Sequence, residues 1–78
     1  MSAGTPLLQA LAHLDQGNWQ AAHAIVQNDN TAAACWVHGI VHVMEGDLDN
    51  ARYWYGRAGR TFSDDAAAEI AAVKKTLA

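Results

Sequence analysis

The stretch "GDLDNARYWYGRAG", residues 46–59, decides the fold of this chain. A glycine stands at each end, and Asp47 or a near neighbour is placed to cap a helix between them, because a short polar side chain accepts hydrogen bonds from the first free N–H groups. Gly59 ends that helix. Its small and aromatic residues recur at helical spacing, which predicts one inward face: Leu48, Ala51, Trp54, Tyr55 and Ala58. Tyr53 lies about 100° away from that face and is predicted to be half exposed.

Helical signals continue upstream of this stretch. Thr5 is placed to cap a first helix, with Pro6 in its first turn, where a missing N–H costs nothing. Gly17 and Asn18 end it, and a short second helix follows as far as residues 28–30. Thr31 caps a third helix, which Gly46 ends. The apolar stripes of these helices are Leu7, Leu8, Leu11 and Leu14, then Trp19, Ala22, Ile25 and Val26, then Trp36, Val37, Ile40, Val41 and Met44.

A fifth helix is predicted downstream, beginning at Ser63 with Asp64 and Asp65 in its first turn. No stretch shows the alternation of a half-buried strand. The sequence therefore predicts an all-α fold of about five helices. Its 78 residues are enough for one domain, 1–78, near the lower size limit for a self-supporting core.

The chain also matches itself when it is shifted by 29 residues. Small residues and histidines fall on one another in this alignment, and each half reads as a helix–turn–helix unit. Such internal repetition is typical of an α-solenoid. The matching pairs are Ala10 and Gly39, His13 and His42, Gly17 and Gly46, and Ala22 and Ala51.

The second unit resembles a known family of helical repeats. Its small and aromatic positions have the spacing of a tetratricopeptide repeat: Gly39, His42, Gly46, Ala51, Tyr55 and Ala58. The run 47–59 is similar to the second helix of a Sel1-like repeat, although the period of 29 is shorter than either family's usual one. The resemblance implies two hairpins, a degenerate one over 3–28 and a better matched one over 31–60, followed by a capping helix over 63–77.

This resemblance also implies a binding surface. In tetratricopeptide proteins the first helices of successive repeats line a concave groove that takes peptides. Carried over by position, the groove is lined by Leu7, Leu11, Leu14, Trp36, Ile40, Val43 and Met44. The first function predicted is therefore a small adaptor or accessory subunit that binds a partner protein or a second copy of itself. An open patch this apolar is unusual on a monomer, so the fifth helix or a second chain is the alternative occupant.

The alternative function is a small metal- or ligand-binding protein that uses a cluster of His and Glu side chains on the third helix. Cys35, His38, His42 and Glu45 fall within about 80° of one another on a helical wheel. The His-x-x-x-His spacing suits one Zn²⁺ or Ni²⁺ ion. A structural interpretation is preferred, with Cys35 and His42 as interhelical packing residues, because Gly39 shares their arc and a buried cysteine behaves as a small apolar group. No metal or other cofactor is therefore predicted.

Other classes of function are disfavoured. The net charge is −3, and Arg52, Arg57 and Arg60 suit the negative end of a helix, so nucleic acid is not an expected partner. The N-terminus lacks a basic region followed by an apolar run, and no stretch approaches the ~20 apolar residues of a membrane span. The lone Cys35 favours the cytoplasm. No oxyanion hole or phosphate loop is evident, so no catalytic residue is predicted.

Overall fold

A computed structural model describes residues 5–78 of the chain. Within this range the backbone forms five helices and no strand, so the all-α prediction is confirmed. The helices are α1 (Thr5–Asp15), α2 (Trp19–Val26), α3 (Ala32–Glu45), α4 (Leu48–Ala58) and α5 (Ala66–Leu77). Over the described residues, none of these helices combines the length and the hydropathy that a membrane crossing requires.

Side-chain caps start four of the helices. Thr31 Oγ1 accepts a hydrogen bond from the N–H of Ala34 at 3.2 Å, and Asp47 Oδ1 accepts one from Asn50 at 3.2 Å, as predicted. Asn18 caps α2 in the same way. The predicted start of the fifth helix is wrong, because Asp65 rather than Ser63 is the cap. The predicted capping role of Thr5 falls on a side chain outside the described residues.

Two glycines end α3 and α4, at the positions that the sequence predicted. Gly46 has φ of 93° and Gly59 has φ of 71°, both in the left-handed region that other residues rarely adopt. At Gly46 the backbone N–H donates to the carbonyls of His42 and Val43, which satisfies the last turn of α3. Ser63 forms a local turn instead of a cap, since its hydroxyl accepts a hydrogen bond from the N–H of Asp65.

The helices pack as two pairs with a fifth helix across them. α1 packs on α2, α3 on α4, and α2 on α3, while α5 contacts both α1 and α3. The side chains buried between these helices form one cluster: Leu7, Ala10, Leu11, Leu14, Ala22, Val26, Ala34, Trp36, Val37, Ile40, Val41, Tyr55, Ile70 and Val73. The result is a thin core, in which valine and alanine allow the helices to approach one another.

This packing corrects the prediction of an open apolar groove. Five of its seven residues lie in the core and are 0–5% exposed: Leu7, Leu11, Leu14, Trp36 and Ile40. Val43 and Met44 are partly buried against the same core. The alternative occupant, the fifth helix, is the one found, because α5 lies against α1 and α3. Burial of this face by the chain itself removes the apolar surface that a partner was expected to cover.

Three helices meet at one carboxylate. Glu69 of α5 accepts hydrogen bonds at the same oxygen, Oε1, from the indole N–H of Trp36 at 3.1 Å and from the hydroxyl of Tyr55 at 2.9 Å. The predicted inward position of Tyr55 is confirmed, since the residue is 1% exposed and its hydroxyl reaches Glu69 in the core. This network joins α3, α4 and α5 through donors that would otherwise be buried without partners.

The remaining predicted positions of α4 divide between core and surface. Ala51 and Tyr55 are buried, and Trp54 and Ala58 are partly buried. Leu48 is 40% exposed, so its predicted inward position is wrong; it is the first residue of α4. Tyr53 is 56% exposed, as expected.

The three arginines lie over aromatic rings, which the sequence did not predict. The guanidinium of Arg60 is 3.5 Å from the centre of the Trp36 ring, and that of Arg52 is 4.3 Å from the Phe62 ring. Arg57 lies 4.9 Å from the Trp54 ring. Each cation is therefore attracted to an aromatic face of the chain itself.

Alkaline pH is expected to destabilise the fold through Tyr55. Burial, and then the hydrogen bond and charge of Glu69, raise the pKa of Tyr55 above its ordinary value. A raised folded pKa favours the neutral phenol, so its contribution is complete below pH ~10 and falls by up to about 1.4 kcal/mol per pH unit above that. Urea unfolding between pH 8 and 11 measures the loss. The loss should be shallower in Tyr55→Phe and unchanged in Tyr53→Phe; equal slopes in all three proteins would contradict the assignment.

Candidate metal centre

Three of the four histidines converge where α2 packs on α3. His38 and His42 lie four residues apart on α3 and so share one face of that helix, while His23 comes from α2. One potential ligand atom from each of the three side chains lies within 4.8 Å of the other two. The ring centres are 4.7 Å apart for His23 and His38, and 4.9 Å apart for His38 and His42. We call these three residues the histidine cluster.

The cluster is covered on one side by α4. The indole of Trp54 stacks on the His38 ring, with the ring centres 3.8 Å apart and the planes 10° apart. His38 is 4% exposed and His42 is 7% exposed, while His23 is half-buried. Solvent therefore reaches the cluster mainly at His23, on the α2 side.

One nitrogen of the cluster has no partner. His38 Nδ1 is buried and no hydrogen-bonding atom of the described residues reaches it. A buried polar atom without a partner costs roughly 1–3 kcal/mol, so such atoms are few in folded proteins. In a small domain with a thin core, this cost is a substantial share of the total stability.

The surroundings of His38 oppose its protonation. Burial first, and then the nearby His23, His42 and Arg57, lower the pKa of His38 to about 4. Its imidazole is therefore neutral at pH 7. One of its two nitrogens then carries a lone pair.

A carboxylate lies beside the third histidine. His42 Nδ1 and Glu45 Oε1 are 2.7 Å apart, and the side chain of Glu45 is 34% exposed. Asp47 also offers an oxygen near this pair, which forms a second, more exposed group with His42 and Glu45. However, Asp47 already accepts the capping hydrogen bond from Asn50. The carboxylates of Glu45 and Asp47 are therefore more exposed than the buried histidines, and each already has a hydrogen-bond partner.

The structure brings together three of the four side chains that the sequence offered as candidate metal ligands. His38, His42 and Glu45 lie close together, as their helical spacing predicted. Cys35 is buried, 1% exposed, and does not belong to either group of ligand atoms. Its interpretation as a packing residue agrees with this position.

Sequence reasoning missed His23. The contact between α2 and α3 that brings it to the cluster is a tertiary contact, which helical spacing within α3 does not reveal. A signal was present, however. His23 is four residues after Trp19 and three before Val26, so it lies at the edge of the buried stripe of α2. A histidine at such an edge is placed to face a neighbouring helix.

This chain matches no protein-family model, no curated protein and no solved structure at a significant level. The tetratricopeptide-like and Sel1-like resemblance therefore stays a prediction. The five-helix fold and the histidine cluster rest on the residues of this chain alone.

Proposed function

We propose that this protein binds one transition-metal ion through His23, His38 and His42. The observation that carries the proposal is the convergence of three imidazoles, one of which has a buried nitrogen, His38 Nδ1, with no hydrogen-bond partner among the described residues. A metal ion is a partner that would satisfy such a nitrogen. Hydrogen bonding among the rings themselves is a weaker explanation, because it leaves this atom unpaired.

The spacing of the cluster is close to what a bound ion needs. Metal–nitrogen distances of about 2.0–2.1 Å in a tetrahedral site place the ligand nitrogens roughly 3.3 Å apart. The three ligand atoms already lie within 4.8 Å of one another, so the site closes if they approach by up to about 1.5 Å. His38 and His42 share one rigid helix, and the stacked Trp54 ring limits the orientations of His38. The main adjustment is therefore expected at His23.

The donor set selects the class of metal. Three neutral imidazoles suit Zn²⁺, Cu²⁺ and Ni²⁺, whereas Mg²⁺ and Ca²⁺ prefer oxygen ligands. Three protein ligands in a tetrahedral arrangement leave one position for water or another exchangeable ligand. Because its ligands come from α2 and α3, the bound ion would also join the first pair of helices to the second and so stabilise the fold.

Isothermal titration calorimetry and thermal unfolding with Zn²⁺ test the proposal. We expect one ion per chain, and an increase in the free energy of unfolding of about 2.7 kcal/mol when free Zn²⁺ is at 100 times its dissociation constant. His23→Ala should remove most of this stabilisation with little effect on the metal-free fold, because His23 is only half-buried. His13→Ala is the matched control, since His13 is the one histidine outside the cluster and should bind Zn²⁺ normally.

Two results would contradict the metal site. One is a wild-type protein whose unfolding is unaffected by Zn²⁺, Cu²⁺ and Ni²⁺. The other is equal loss of binding in His13→Ala and His23→Ala, which would indicate nonspecific binding to exposed histidines. Elemental analysis after mild purification identifies which ion the protein carries.

Binding of a partner protein stays a prediction without an assigned surface. Most of the residues predicted for it lie in the core, so an adaptor role or self-association would use other parts of the surface. A cytoplasmic location also stays a proposal, supported by the single, buried and unpaired Cys35.

A further inference from the structure

We infer that Glu45 is a positioning residue of the metal site: it fixes the proton of His42 on Nδ1 and so presents Nε2 to the ion. The presentation of Nε2 to an ion rests on the proposed function. The position of the proton on His42 is a property of the metal-free protein and is measured separately. Nothing in the sequence distinguished this role from that of a direct ligand, because both use the same residue at the same spacing.

The geometry of the pair defines the tautomer. Glu45 Oε1 lies 2.7 Å from His42 Nδ1, a distance typical of a charge-assisted hydrogen bond. An ionised carboxylate only accepts hydrogen bonds, so Nδ1 must donate. In a neutral ring the lone pair is then on Nε2. The nitrogen available to a metal ion is therefore set by Glu45.

The backbone holds this pair in place. Glu45 is the last residue of α3, and the turn that follows it is closed by the N–H groups of Gly46 and Asp47, which donate to the His42 carbonyl at 3.0 and 2.9 Å. The carbonyl of His42 is thus fixed one turn before the helix ends. The spacing of three residues places the Glu45 and His42 side chains on the same face.

A competing arrangement makes Glu45 a ligand together with Asp47. Two observations disfavour it. The carboxylate of Asp47 already accepts a hydrogen bond from the Asn50 N–H at 3.2 Å, and both Glu45 and Asp47 lie in the exposed part of the chain. An ion bound there would also need His42 Nδ1, the nitrogen that donates to Glu45. The buried histidine cluster requires neither change.

The first arm of the experiment is NMR spectroscopy of the metal-free protein at pH 8. Long-range ¹H–¹⁵N correlations report which ring nitrogen carries the proton. We expect His42 to be protonated on Nδ1 in the wild type and in Glu45→Gln, whose amide oxygen still accepts the hydrogen bond. In Glu45→Ala the proton should move largely to Nε2. An Nε2–H tautomer in the wild type, or no change in Glu45→Ala, would overturn the inference.

The second arm measures Zn²⁺ affinity by calorimetry. Glu45→Ala is expected to weaken binding 10–100-fold, the usual effect of removing a group that orients a ligating histidine. Glu45→Gln should recover most of the affinity, and Asp47→Asn, which keeps the helix cap, should bind as the wild type does. Helicity and melting of the metal-free variants should be unchanged.

The outcomes separate the inference from the proposed function. If the wild type binds Zn²⁺ and the affinity of Glu45→Ala is within twofold of the wild-type affinity, the positioning role is overturned and the metal site stays intact. Loss of binding in both Asp47→Asn and Glu45→Gln would identify the carboxylates as ligands and also overturn that role. A wild type that binds no Zn²⁺ would remove the proposed function and this role with it, whatever the tautomer of His42.

Discussion

Gly39→Ala is expected to lower the free energy of unfolding by about 3 kcal/mol, a large part of the stability of a domain of this size. A β-carbon at residue 39 would overlap the ring of Tyr55, lying 2.7 Å from Cε1 and also close to Cδ1. The ring has no space to withdraw, because Tyr55 is 1% exposed and its hydroxyl is bonded to Glu69. Relief of the overlap would break that bond or separate α3 from α4.

Gly56→Ala is the matched control for this prediction. Gly56 lies within α4, and a β-carbon there meets nothing within 4 Å. The same substitution should therefore stabilise the protein by about 0.5–1 kcal/mol, because alanine favours the helix over glycine. Urea unfolding of the two variants gives the comparison. A Gly39→Ala protein as stable as the wild type would mean that α3 and α4 are not in close contact at this residue.

Trp36→Ala is expected to cost about 3–5 kcal/mol and to leave most of the chain unfolded at 37 °C. The indole is 2% exposed, its N–H donates to Glu69, and Arg60 covers its face. Truncation would open a cavity between α3 and α5 and leave Glu69 with one donor fewer. The variant also tests the predicted groove directly, since an exposed groove residue would tolerate alanine.

Circular dichroism and urea unfolding measure this effect. Tyr53→Ala is the control, because Tyr53 is an aromatic residue of similar size that is 56% exposed, and its loss should cost less than about 1 kcal/mol. Trp36→Phe should be intermediate, since it keeps an aromatic ring in the core but loses the donor to Glu69 and part of the indole volume. Full stability of Trp36→Ala would restore the groove and contradict the packing of α5.

Much of the secondary structure was predictable because its causes are local. Thr31 and Asp47 cap their helices through side chains that reach N–H groups three residues away, and Gly46 and Gly59 end helices through their own backbone freedom. The predicted start of α5 at Ser63 is wrong, because Asp65 accepts the capping hydrogen bond from the N–H of Ala68. Ser63 and Asp65 are both good caps, so residue type alone did not distinguish them.

The candidate site was predictable in part. His38, His42 and Glu45 share a face of one helix, so their proximity follows from the helical repeat. His23 joins them only because α2 packs on α3. Cys35, equally close in sequence, is buried outside the group of ligand atoms. Helical spacing gives the neighbours within a helix and leaves those from other helices undetermined.

The sequence by itself determined that this chain is all-α and where most of its helices begin and end. These features follow from caps, turns and periodicity, which act over a few residues. The tertiary structure alone decided that α5 covers the apolar face carrying Trp36 and that His23 meets His38. Both depend on which helix faces which, and that choice is made by burial of apolar surface over the whole chain.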